Sequence, residues 1–249
     1  MSAAIDLAKL RVNEFAERFR SEMIPLTNAV SYFSAVPLSE EETKDLLGDP
    51  FAALPPAFQP LLPRVQVLLV PYLERVNGKP GEEQVSFEEP PHERQALSAE
   101  LIGEESAVLV FSIKGQETAE YHYTLYRALA GLGARHVSDE FAQRFQALLR
   151  EELTNRIHGE VDERSWQSKQ ALLRRQSGFR RDTKLFKLYA EQSLIDTLTL
   201  YLHGICCDID VETGPRQLQS RYLRRRLALL QELLPPPEGY AVFPEDVKT

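Results

Sequence analysis

The segment from Thr183 to Leu202 restricts the fold most. Its apolar residues Leu185, Phe186, Leu188, Tyr189, Leu194, Ile195, Leu198, Leu200, Tyr201 and Leu202 fall on nearly every side of a helix drawn through it. A helix that is apolar all round needs neighbours all round, so the spacing predicts a central buried helix over 183–202 with a bundle packed against it. Asp196 is an acid inside that helix, and a buried carboxylate is costly without a partner. The expected partner is an arginine from the arginine-rich last helix.

The neighbours can be read from the same period. Tyr121, Leu125, Ala128, Leu129 and Leu132 form one stripe, and Phe141, Phe145, Leu148, Leu149, Glu152 and Ile157 form the next. Gly133 and Gly159 stand where C-terminal caps belong. Asp162 can cap a third helix to about residue 176, ended by Ser177-Gly178, with Trp166 on its inward stripe. Pro215 is placed to open the last helix, which carries Leu218, Tyr222, Leu223, Leu227, Leu230 and Leu234 and stops at Pro235.

The amino half has a different pattern. Ile5, Ala8, Val12, Phe15, Ala16, Phe19 and Met23 predict an amphipathic first helix ending before Pro25. Ser39 followed by Glu42 is a capping box, predicting a short helix over 40–47 that ends near Gly48. Prolines 50, 55, 56, 60 and 63 exclude a continuous helix or a central strand and predict a surface-hugging connector. Residues 65–70, 84–88 and 107–113 are rich in β-branched and aromatic side chains, which predicts a small sheet, with turn chemistry at Asn77-Gly-Lys-Pro-Gly81. The fold class expected is therefore α+β, mostly α-helical: a small β-sheet in the N-terminal half and a helical bundle in the C-terminal half. Residues 1–116 form an α+β part and 117–249 a helical part, with one continuous domain as the alternative. The chain shows no internal repeat and no low-complexity tract beyond its prolines.

Composition narrows the setting. With 43% hydrophobic and 27% charged residues over 249 positions, the chain can bury a sizeable core. Its two cysteines, Cys206 and Cys207, are adjacent and would close only a strained ring, so the expected compartment is the reducing cytoplasm. The first residues lack the basic and apolar regions of an export signal, and no run of apolar residues reaches spanning length, so no membrane partner is expected. Residues 1–134 hold 11 Lys/Arg against 20 Asp/Glu, while 135–249 hold 18 against 17. That balance leaves only a local basic patch as a route to nucleic acid.

Several constellations could carry chemistry. Glu120-x-His122, His158-Gly-Glu160 and His203-Gly-Ile-Cys206-Cys207-Asp208 offer imidazole, thiol and carboxylate groups, all of which bind zinc. HExxH and CxxC spacings are absent. The layout of strands followed by helices, with Glu120 and His122 opening the first helix after the sheet, resembles a metallopeptidase arrangement without its motif. Among these groups Glu120 and Glu160 are the catalytic candidates, and His122, His158 and His203 are the candidate ligands of a zinc ion. Cys206 and Cys207 stand at a helix C-terminus, where the dipole and Asp208 both oppose a thiolate. Arg221, Arg224 and Arg225, with Arg216 and Arg226 nearby, load the last helix as a solvated basic patch or an anion site. Amphipathic helices, a proline-rich strap and split charge without an intact catalytic motif make an interaction or regulatory protein with a protein partner and no cofactor the expected function. The alternative is a metal-dependent hydrolase built on the histidines and glutamates of the helical half.

Overall fold

Strands β3 (Arg64–Val70) and β8 (Ser106–Ser112) read as apolar runs because both lie inside a sheet. Val65, Val67, Leu69, Leu109 and Phe111 are all buried. The two pair in parallel, Val67 opposite Leu109, and β2 (Val30–Ser34) pairs in parallel with β3 on the other side. The short β1 (Ile24–Pro25) and β7 (Ser98–Ile102) close the edges antiparallel, giving the order β1-β2-β3-β8-β7. Between β3 and β8 the chain makes a second, three-stranded antiparallel sheet, β5-β4-β6, from β4 (Tyr72–Arg75), β5 (Glu83–Ser86) and β6 (Gln95–Ala96). Pro71 sits at the bend where β3 passes into β4. Asn77, at φ 55°, turns β4 into β5.

The computed structural model describes residues 9–79, 81–174, 179, 181–207 and 214–243, and the chain divides into two units: 1–51 with 62–128, and 52–61 with 129–249. Ile5, Ala8, Arg175, Ser177, Gly178, Arg180, Asp208 and Asp210 lie outside the described residues. In the first unit, helix α1 (Val12–Phe19) inserts Val12 and Phe15 among Leu68, Val70, Leu73, Val85, Ala96 and Val110, forming one core from both sheets. Helix α2 (Glu40–Thr43) starts with the expected capping box: the Glu42 amide donates to Ser39 Oγ at 3.1 Å and the Ser39 amide to Glu42 at 2.8 Å. The helical path does not stop at Gly48. It widens into a π turn over Lys44–Gly48 and continues as α3 (Asp49–Ala52), where Pro50 has no N–H to give to the turn before it. Helix α4 (Thr118–Gly133) holds this turn from its amino end, Tyr121 donating to the Leu46 carbonyl at 2.9 Å and Tyr126 to that of Pro50 at 3.0 Å. Burial pushes the Tyr121 hydroxyl above its ordinary range.

The second unit is the helical one. α5 (Asp139–Thr154), α6 (Glu163–Arg174) and α8 (Ser220–Leu233) pack on α7 (Lys184–Cys206), whose Phe186, Tyr189, Leu198, Tyr201, Leu202 and Ile205 are buried as expected, while Leu188 in its first turns is 53% exposed, so the amino end of the helix is not covered on every side. α7 runs a turn beyond residue 202, so His203 belongs to the helix. α8 starts at Ser220, and Pro215 lies in the turn before it. The proline-rich segment is not confined to the surface: Leu54 and Phe58 are buried, and the Phe58 ring lies where a Cβ on Gly133 would stand, 2.3 Å away. Gly133 is therefore the last residue of α4, kept small for contact, and not a cap beyond it.

Candidate functional site

The charged residues that matter most in the second unit stand on apolar stripes. Glu152 follows Phe145 and Leu149 on α5, Lys169 precedes Leu172 on α6, and Arg226 lies between Leu223 and Leu230 on α8; all are buried. The fourth charge, Glu160, comes from the α5–α6 connection. Its backbone is pinned by a short parallel bridge in which the Glu160 amide donates to Arg216 O and the Leu218 amide to Glu160 O, both at 2.9 Å. Gly159, at φ 86°, permits that approach; a Cβ there would fall 2.1 Å from the Gln217 carbonyl oxygen.

Arg226 is the hub. Its Nη2 donates to Glu152 at 2.5 Å and its Nε at 3.2 Å, while Nη1 donates to Glu160 at 2.7 Å and to Ser193 Oγ at 2.8 Å. Lys169 Nζ stands 3.1 Å from Glu160 and donates to Gly159 O at 2.8 Å, and Tyr189 donates to Glu160 at 2.5 Å. Two acids and two bases thus cancel inside a buried centre that ties α5, α6, α7 and α8 together. Burial alone would raise the Glu160 carboxyl, but Arg226 foremost, then Lys169 and Tyr189, outweigh it and hold the group down at about 2. Burial raises the Tyr189 hydroxyl well above its usual range, and the Glu160 charge raises it further.

Asp196 is buried on α7 as expected, and Arg226 of the last helix pairs with Glu152 and Glu160. The Asp196 carboxylate accepts from the Ser165 amide at 3.0 Å and from Gln192 at 2.8 Å. Ser165 lies in the first turn of α6, so the acid caps that helix from outside, where the dipole favours negative charge.

The histidines occupy different settings. His122 is buried near the start of α4, its Nε2 donating to the Asp45 carbonyl at 2.8 Å; Glu120 is exposed two residues earlier. His158 stacks edge-on against Trp166, with ring centres 4.9 Å apart. His203 is buried one turn before the end of α7, its carbonyl accepting from the Cys207 amide. His158 and Glu160, though adjacent to Gly159 in sequence, share no group of three ligating side chains among the described residues. At the end of α7 the Cys206 hydrogen bond and burial push the Cys207 thiol up.

The arginines of α8 divide between the interior and the surface. Arg226 is internal, Arg225 makes a two-pronged pair with Glu151 at 2.8 and 2.9 Å, Arg224 lies over the Phe243 ring and Arg221 over that of Tyr222. On the outer side of α5 and α8 a groove of about 550 Å³ is floored by Ala147, Leu148, Ala228 and Leu229. Arg144 with Glu232 closes one end at 2.8 Å, and Glu151 with Arg225 closes the other. Those ends expose a correspondence that is too short to read as a repeat: Arg144-Phe-Gln-Ala-Leu-Leu-Arg-Glu151 and Arg225-Arg-Leu-Ala-Leu-Leu-Gln-Glu232 match at arginine, alanine, both leucines and glutamate. Ala147 and Ala228 are exposed, Leu148 and Leu229 half-buried, Leu149 and Leu230 buried.

Sequence reasoning left out Lys169, Tyr189 and Ser193 as polar partners and counted Arg226 among the solvated arginines. The available signal was a charged residue at an inward position of an apolar stripe, at residues 152, 169 and 226. No family model, no curated protein and no solved structure matches this chain.

Proposed function

We propose that the protein is a binding module rather than a catalyst, and that it meets a protein partner on the outer face of α5 and α8. The groove carries this reading. It combines an apolar floor with charged ends on two helices whose inner sides are fixed by the buried ion network, so the surface is rigid before anything binds. A partner helix with an apolar stripe fits such a furrow. Two adjacent cysteines and no others favour work in the cytoplasm. A metal-dependent hydrolase drawing its base from Glu160 would find a carboxylate held near 2 and sealed from solvent, which is a poor base. With Arg226 internal and Arg225 paired with Glu151, the last helix likewise favours protein over nucleic acid.

A photoreactive residue at Ala147, introduced into the full chain in its source cells, tests the reading. Discrete protein adducts that are absent with the same residue at exposed Arg164, and that are lost on Ala228→Arg, support it. Adducts identical to the Arg164 control, or none, overturn it. Zinc, iron or manganese at one equivalent in protein purified without chelator or affinity tag would favour the hydrolase instead.

A further inference from the structure

We infer that the partner on the α5–α8 face is a second copy of this chain, an inference that rests on reading that face as the working surface. The basis is the charge pattern. Arg144 meets Glu232 at one end and Glu151 meets Arg225 at the other, so the two helices run antiparallel and a local two-fold relates one octapeptide to the other. Seen face-on, positive charges occupy one diagonal of the groove and negative charges the other.

Such a four-cornered pattern is self-complementary. A two-fold axis along the helices lays Arg144 of one copy over Glu232 of the other and Glu151 over Arg225, with the reciprocal pairs generated by symmetry. An axis across the helices opposes charges at every corner equally well. A quarter turn places like on like at all four corners, so charge selects aligned helices, the geometry of a four-helix bundle, over a perpendicular crossing. Between the corners, Ala147 and Ala228 let the helix backbones approach, and the half-buried Leu148 and Leu229 complete their burial. Apolar contact supplies the affinity and the exposed charges supply the register.

The face is small. α5 has 16 residues and α8 has 14, which makes them about 24 and 21 Å long. Two helices of that length give a footprint at the low end of specific interfaces, so the dimer is reversible, with a dissociation constant in the micromolar range.

Sedimentation equilibrium of the full chain over rising concentration tests this. The expected result is a shift from one chain mass to two. Arg144→Glu with Arg225→Glu makes all four corners negative, and Glu151→Arg with Glu232→Arg makes them all positive. Each variant alone should weaken self-association by about tenfold or more, and an equimolar mixture should form the heterodimer again. Should a charge variant fail to fold, Ala147→Arg with Ala228→Arg, at exposed positions, should abolish the dimer while the far-ultraviolet circular dichroism stays native. A wild-type chain that remains single at a few hundred micromolar, a dimer indifferent to these substitutions, or a mixture that does not pair would each overturn the inference. Adducts at Ala147 to a different protein, with a monomeric wild type, would remove the second copy and leave the binding reading standing; no specific adduct would remove both.

Discussion

Arg226 shows how much one side chain can carry. It donates to two carboxylates and a hydroxyl with no exposed surface, so its removal strands Glu152 and Glu160 in a buried interior. Arg226→Ala should therefore destabilise the chain by about 3–5 kcal/mol, read from urea unfolding followed by Trp166 fluorescence. Glu160 adds a pH signature. Its folded pKa of about 2 lies below the ordinary 4.5, so the stability it confers is fully present above about 4.5 and is lost as pH falls from there toward 2. A shift of that size corresponds to about 3 kcal/mol. Glu160→Gln should flatten the acid limb of the stability curve in that window. If the variant keeps the wild-type slope between pH 4.5 and 2, Glu160 is not the group responsible. The network was partly visible beforehand, since Glu152 already stood in the stripe of Phe145 and Leu149. Spacing alone could not say that Glu160, from a connection without periodicity, would join it, because its position depends on Gly159 meeting the Gln217 carbonyl.

Among elements, α7 was the most legible, because apolar residues on all sides leave a helix only one place to go. Its polar groups were harder to assign. Asp196 was expected as a buried acid, but its capping of α6 is set by the angle between two helices and not by either sequence. Asp196→Asn keeps an acceptor but removes the charge, and should lower the melting temperature by the equivalent of about 1 kcal/mol in calorimetry. The contact between α4 and the proline-rich segment gives a sharper test. Gly133→Ala drives a methyl into the Phe58 ring and should cost about 1–3 kcal/mol. Adding Phe58→Leu should recover part of that loss, whereas purely additive costs would show that the ring is not what limits residue 133.

At the scale of the whole molecule, the α+β class and the placing of strands before helices followed from hydrophobic period. The pairing did not. β2 is short and half-polar, and its parallel partnership with β3 joins segments separated by α2, α3 and the prolines, which no local pattern records. Among the described residues no helix is long and apolar enough to cross a membrane. The chain carries a net charge of −8, and Arg225 and Arg226 are engaged by acids. Labelled duplex DNA should therefore show no anisotropy change at physiological salt; binding that falls steeply as salt is raised would restore a phosphate-binding role to α8.

The closed centre of four charges also limits how this sequence can drift. Any one of Glu152, Glu160, Lys169 or Arg226 altered alone leaves an odd charge buried, whereas an apolar set of matching volume can replace them only together. Descendants of this chain should keep the quartet entire or lose it entire, and a lineage caught between the two would be recognised by its instability.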